Sequence, residues 1–190
     1  MRIFVVGESR FGSRFFRAAL AAGHELVAVS ISGRLGDADP LLAAARSTGV
    51  PAIPFAAILD GDAAAIRGTG AELIVLANVS RIVPPATLSA VPRGAICFHP
   101  SLLPRHRGRH AVRDAIRAGD PFTGVTAFWP DDGVDTGPVI LQARVEIAPG
   151  EPPSALYHDK LVPIGVYIML AAIAAIEANA APRLCQEAAL

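Results

Sequence analysis

The sequence predicts an α/β fold with a doubly wound, mostly parallel sheet and helices on both faces. Three observations predict it. Short apolar blocks of strand length recur at residues 3–6, 26–31, 72–77 and 95–99, each bounded by turn residues. Between them lie stretches with helical spacing, and strands alternating with helices are the signature of parallel crossovers. The chain has 190 residues, 52% hydrophobic and 18% charged, which suits one globular domain with a real core.

The elements follow in order. Residues 3–6 are a buried strand closed by Gly7, and a helix runs over 11–22 until Gly23 stops it. A second strand covers 26–31. The loop 33–40 leads into a helix over 41–47. Residues 52–53 make a short strand between Pro51 and Pro54, followed by a weak helix near 63–67. Strand 72–77 is the clearest of the first half. The chain then turns through 78–85, makes a short helix and enters strand 95–99. A helix over 111–118 ends at Gly119. Residues 123–129 alternate as a strand, Pro130-Asp131-Asp132-Gly133 is a turn, and 138–147 is another strand. The final helix spans 152–178 and is bent or restarted at Pro163. Its uncharged run, 161–176, is shorter than the ~20 residues of a membrane span and reads as a buried helix. No repeat or linker interrupts the chain, so a single domain over 1–190 is expected.

Formal net charge is zero and no Lys/Arg block exists, which argues against nucleic acid or an anionic membrane as the main partner. Two cysteines, Cys97 and Cys185, make neither a disulfide framework nor a zinc ligand set, so no metal is expected. The start lacks the pattern of a signal peptide, and a reduced, cytoplasmic setting fits.

The chemistry-bearing stretch is Ile96-Cys97-Phe98-His99-Pro100-Ser101-Leu102-Leu103-Pro104-Arg105-His106-Arg107-Gly108. A strand ends at a histidine, Pro100 stops it, and a basic loop closed by glycine follows. Alternate strand residues share a face, so Cys97 and His99 project together. Open α/β folds place ligand sites at strand ends, and histidine titrates near neutral pH. Its ring needs a partner to orient it. The best carboxylate for that is Asp135, in Asp131-Asp132-Gly133-Val134-Asp135-Thr136-Gly137, so the two loops are expected to meet. Taken alone, His99 reads equally well as a buried histidine satisfied by a backbone carbonyl, and Asp135 as a turn residue.

Other motifs weigh less. Gly7-Glu8-Ser9-Arg10-Phe11-Gly12 sits at the first strand-to-helix turn, where phosphates bind helix amides. Ser9 replaces the second glycine of a dinucleotide fingerprint, and no acidic residue follows the second strand. A turn that needs small residues to pack is the better reading. A Cys97/His99 pair is a nucleophile arrangement, yet a cysteine between Ile96 and Phe98 suits a small core hydrophobe better. Arg105, His106, Arg107, Arg109 and His110 form a positive patch that suits either an anionic tail or plain solvation.

Residues 99–108 and Asp132-Gly133-Val134-Asp135-Thr136-Gly137 together resemble the folate-dependent formyltransferase family. The match is closest to its branch of amino-terminal hydrolase domains of 10-formyltetrahydrofolate dehydrogenases. Gly7 to Gly12, Ala38-Asp39-Pro40, Gly49-Val50-Pro51, the Ser80 to Pro84 loop and Phe128 to Gly133 agree in order and spacing, so the likeness reaches about Ile176. The resemblance implies the formyltransferase fold, a catalytic domain without the C-terminal subdomain of larger relatives, and formyl chemistry at the carboxyl ends of the strands. The family's catalytic set is an Asn, a His two residues on, and an Asp in the D-T-G loop. His99 and Asp135 match it, whereas Cys97 stands at the Asn position. That departure tilts the reading from transfer toward hydrolysis.

The resemblance further implies 10-formyltetrahydrofolate as substrate or formyl donor, with no metal. Its pterin would contact backbone at Arg81, Ile82, Val83, Asp131, Asp132, Gly133 and Val134, with Ser101, Leu102 and Gly108 beside the substrate. Asp135 would orient His99, raise its pKa and position a water. Hydrolysis ranks first. Transfer to a small amine, such as an amino sugar or ribonucleotide amine, is the alternative, and a noncatalytic folate-binding module ranks third. Oligomeric state stays open.

Overall fold

The computed structural model describes residues 1–32 and 38–186, so most of the loop expected over 33–40 lies outside the described residues. Among the described residues there are six strands: β1 (Arg2–Gly7), β2 (Glu25–Ile31), β3 (Leu73–Ala77), β4 (Ala95–His99), β5 (Phe122–Phe128) and β6 (Val139–Glu146). Their order in the sheet is β2-β1-β3-β4-β5-β6. β1 pairs in parallel with β2 and β3, β3 pairs in parallel with β4, and β5 pairs antiparallel with β6. This is the mostly parallel α/β sheet that the alternation of elements predicts. The chain divides into two compact units, Met1–Cys97 and Phe98–Leu190.

In the first unit, α1 (Ser9–Ala21) buries Phe11, Phe15, Phe16 and Ala19, the helical spacing that a sheet-covering face requires, and lies on β1, β2 and β3. α2 (Pro40–Thr48) packs beside it and against β2. Phe4, Val6, Ile74 and Leu76 point to one face of their strands and pack with Ile58 and Ile66. Those two side chains come from α3 (Phe55–Leu59) and α4 (Ala63–Gly68). Between Pro51 and Pro54 the expected strand shrinks to a single bridge at Ala52, held by Val29 N–H to Pro51 O (2.9 Å) and Ile53 N–H to Val29 O (2.8 Å). α5 (Pro85–Leu88) is the short helix before β4.

The first turn is built for close packing. A Cβ on Gly7 would overlap the Ala77 carbonyl, and one on Gly12 would press on Leu41 Cδ2 at 3.0 Å. Asp39, fully buried, caps α2 through Leu41 N–H (2.8 Å) and also accepts Ser9 N–H (2.9 Å). An internal carboxylate thus takes an amide that this kind of turn offers to phosphate.

In the second unit, β5 and β6 pair from Phe122↔Glu146 to Phe128↔Val139, with an irregularity between Ala127 and Phe128. Gly124 lets the strands and Leu102 close up, since a Cβ there would overlap Ala143 O and meet Leu102 Cδ2 at 2.5 Å. α6 (Ala111–Arg117) precedes the hairpin. After it come α7 (Pro153–Ala155), a π-helical turn over Leu156–Leu161, and α8 (Val162–Glu177). Pro163 explains the wide turn: its ring would clash with the carbonyl of Asp159 in a regular helix and it has no N–H to donate. Leu156 and Leu161 are both fully buried. The whole helical run, Pro153–Glu177, has 25 residues, and by length and composition it is long and apolar enough to cross a membrane. Here α8 packs against β5 and β6, burying Ile168, Met169, Ala172, Ile173 and Ile176.

Candidate active site

His99 ends β4, and Pro100 turns the chain away from it. The ring is buried, 5% exposed, in the second unit. Its Nε2 lies 2.8 Å from the carbonyl oxygen of His106. A carbonyl can only accept, so Nε2 carries a proton and donates it. In the neutral ring the basic nitrogen is therefore Nδ1, and Nδ1 faces Asp135 Oδ2 at 3.4 Å. The same Oδ2 accepts the Gly108 N–H at 2.8 Å. The structure thus brings the two loops together, with one carboxylate oxygen shared between the histidine and the backbone of the basic loop.

Both loops hold left-handed backbone at the residues that matter. His106 has φ 51° and Asp135 has φ 53°. Non-glycine residues there cost about 1–2 kcal/mol each, so surrounding bonds must hold them. For His106 the holder is Asp120, 10% exposed at its side chain. Its Oδ2 sits 2.6 Å from His106 Nε2, and its Oδ1 accepts from Arg105 Nη2 at 2.6 Å. Ser101, buried, adds a hydroxyl that donates to Arg105 O (2.6 Å) and, more weakly, to His106 O (3.4 Å). Leu103 N–H and Ser101 O are both bonded to Thr126 Oγ1 on β5 (3.2 and 2.6 Å), and Gln142 on β6 donates to Leu103 O (2.8 Å). The loop after His99 is thereby fixed to the hairpin.

For the Asp135 loop, Asp131 Oδ1 accepts Gly133 N–H (3.1 Å) and Thr136 Oγ1–H (2.6 Å). A Cβ on Gly137 would overlap the Trp129 carbonyl. Gln186, 3% exposed, donates to Asp135 O and Gly137 O, both at 2.8 Å.

The electrostatics of His99 differ from the sequence expectation. Burial, which disfavours the charged ring, is the largest influence. Asp135 and the His106 carbonyl pull the pKa up, and the neighbouring His106 side chain pushes it down. The balance lies below the ordinary 6.5, so the anticipated rise is corrected to a fall. Asp135 acts in the direction expected, but it is outweighed.

The remaining residues singled out in the sequence fall as follows. Cys97 is half-buried and packs against the apolar cluster of the first unit, as a small core hydrophobe does. Arg81 and Ile82 are exposed in the first unit, Ile82 at 68%, while Val83 is buried. In the second unit Asp131, Asp132, Gly133 and Val134 are exposed, Val134 at 54%. Leu102 is half-buried. The positive patch is partly internal strutting: Arg105 and His106 bind Asp120, and Arg107 binds Gln186. Among the described residues no group of three or more His, Cys, Asp or Glu side chains could hold a metal ion.

Sequence reasoning missed Asp120 and Gln186. Asp120, between a helix-stopping Gly119 and Pro121, looks like any turn residue, and Gln186 lies in a polar tail with no pattern around it. Neither carries a local signal, because each acts on residues far away in the chain.

The sequence model of the family described as "Formyl transferase" matches residues 1–171. Cytosolic 10-formyltetrahydrofolate dehydrogenase of Homo sapiens is 39% identical over 193 residues, covering 98% of this chain and 21% of that protein. Methionyl-tRNA formyltransferase of Symbiobacterium thermophilum is 35% identical over 196 residues, covering 99% of this chain and 60% of that one. Glycinamide ribonucleotide transformylase 1 of Geobacillus kaustophilus, a solved structure, superposes with a TM-score of 0.75 at 30% identity, over 88% of this chain and 93% of that chain. The chain thus spans about a fifth of the length of the dehydrogenases it matches.

Proposed function

The chain belongs to the formyl transferase family, and on that premise we propose that it cleaves 10-formyltetrahydrofolate with water to give formate and tetrahydrofolate. The observation that carries this reading is the buried His99, its Nε2–H fixed to a carbonyl and its basic Nδ1 turned toward Asp135 at 3.4 Å. Nδ1 takes a proton from water as the oxygen–carbon bond forms at the formyl group. The resulting imidazolium is held by the Asp135 carboxylate and stabilises the developing oxyanion. The proton then passes to the departing nitrogen as the carbon–nitrogen bond breaks.

Ile82 in the first unit and Val134 in the second are each apolar side chains open to water. Arg81, Ile82 and Val83 in the first unit, and Asp131, Asp132, Gly133 and Val134 in the second, are the proposed pterin-binding residues. Ser101 and Gly108 act by shaping the His99 loop, and Leu102 by packing under it.

One feature supports water over an amine as acceptor: Cys97 stands where the resemblance calls for an amide, and a thiol is a weak hydrogen-bond donor to a formyl oxygen. The identity to the dehydrogenase points the same way. Transfer to an amine is supported by the resemblance to methionyl-tRNA and glycinamide ribonucleotide enzymes. The deciding measurement is incubation of the chain with formyl-labelled 10-formyltetrahydrofolate, alone and with candidate amines. Label in free formate without an amine is the expected result. Label appearing only on an amine would overturn hydrolysis, and binding without any release would leave a folate-binding module.

Two outcomes follow from the site. Since His99 works as the neutral base and burial lowers its pKa, kcat/KM should fall on its acid side only below pH 6.5. A limb centred above 6.5 would contradict that electrostatic balance. Replacing Cys97 by Asn should preserve turnover and raise the ratio of formyl transfer to hydrolysis when an amine is supplied. Complete inactivation of Cys97→Ala together with a trapped thioester on the wild type would instead indicate covalent catalysis.

A further inference from the structure

We propose that Gln186 is a positioning residue for the His99–Asp135 pair, binding both loops from behind and fixing the carboxylate against the imidazole. This rests on the hydrolytic reading of the site but concerns a residue outside the motifs that suggest it.

Gln186 is buried in a tail whose neighbours Arg183, Leu184 and Cys185 are exposed. All of its hydrogen-bonding capacity is used. Oε1 accepts from Arg107 Nε (3.1 Å) and Nη2 (2.6 Å), and Nε2 donates to Asp135 O and Gly137 O (2.8 Å each). Guanidinium only donates and carbonyls only accept, so the amide has one orientation. One side chain therefore joins the neighbour of Gly108 to the backbone of Asp135. Those are the two residues whose N–H and carboxylate meet at 2.8 Å beside His99.

The tail is pinned so that it delivers this contact. Leu184 exchanges two backbone hydrogen bonds with Val139 (2.8 and 3.0 Å). Trp129 Nε1–H donates to Pro182 O (2.9 Å), and the Arg183 guanidinium lies 4.3 Å from the centre of the Trp129 ring. A fully bonded amide holding a left-handed aspartate is more than a tail needs for its own anchoring. Its effect is to keep Asp135 Oδ2 where His99 Nδ1 can use it.

The test is made on the full chain with Gln186→Met, nearly the same size but unable to make any of the four bonds. Gln186→Asn, too short to span both loops, is the second variant should the first not fold. Two readouts are taken: formate release, and the titration of His99 followed by the NMR signal of its ring. The titratable groups that act on His99 are Asp135, which raises its pKa, and His106, which lowers it. With Asp135 loosened, the His99 midpoint should fall by about half a unit or more. kcat should fall roughly 10- to 100-fold, the scale of a misplaced catalytic group, with KM changed far less. A folded variant with the wild-type His99 midpoint overturns the inference whatever its activity. If the midpoint shifts while the wild type releases no formate, the positioning role stands and the hydrolytic reading falls.

Discussion

His99→Ala should lower formate release from 10-formyltetrahydrofolate by roughly 100- to 10,000-fold, the contribution of a well-placed general base. The protein should still fold. The carbonyl of His106 loses its 2.8 Å donor but keeps the Ser101 hydroxyl at 3.4 Å, and the loop retains the Asp120 and Thr126 bonds. A buried acceptor left short of a partner costs about 1–3 kcal/mol, which thermal melting will register without preventing folding at room temperature. The informative comparison is therefore rate against melting temperature. Wild-type turnover in a folded His99→Ala protein would remove the histidine from the mechanism.

Asp135→Asn is expected to be the next most damaging change. Its carboxylate acts across 3.4 Å on Nδ1, and an opposite charge at that range shifts a pKa by about 1–3 units. Each unit is a factor of ten in the stability of the imidazolium that forms during attack, so kcat/KM should fall roughly 10- to 1,000-fold. The sign of the pH effect follows from the same charge. Asp135 raises a pKa that burial lowers, so the amide variant should show an acid limb moved further below 6.5. Should the limb move upward, or the rate stay unchanged, the carboxylate is not serving that nitrogen. Asn still offers an oxygen to the Gly108 N–H, so the loop itself should hold.

Much of this architecture is legible in the sequence because it is local. The blocks that become β1, β2, β3 and β4 are short apolar runs whose edges are set by glycine, asparagine or proline, and the structure moves those edges by only a residue or two. α1 is legible because Phe11, Phe15, Phe16 and Ala19 recur on one face. α3 was not, since five residues after Pro54 carry too little periodicity to distinguish a helix from a turn. His99 and Asp135 stand out as motif residues, and the fold brings Nδ1 within 3.4 Å of Oδ2. What the sequence could not supply is the balance of forces on the ring. Burial depends on everything packed around His99, whereas the attraction of Asp135 depends on one pair, so the pair is easily foreseen and the sign of the sum is not. Asp120 and Gln186 were illegible for a related reason: a single polar residue that bonds distant backbone leaves no repeat or spacing to read.

The wide turn ahead of α8 sets the phase of everything after it. Leu156 and Leu161 are five residues apart, which a 3.6-residue turn would place on different sides of the helix. The five-residue hydrogen-bond step of the π turn brings them round to the same interior. Deleting one residue between them together with Pro163→Ala, which removes the cause of the wide turn, should therefore let the segment relax to an ordinary helix with α8 still aligned on the hairpin. A one-residue insertion would instead rotate Ile168, Met169 and Ile173 out of contact. Length variation among related chains at this point should accordingly be lopsided, with shorter forms found where the proline is absent and longer ones rare.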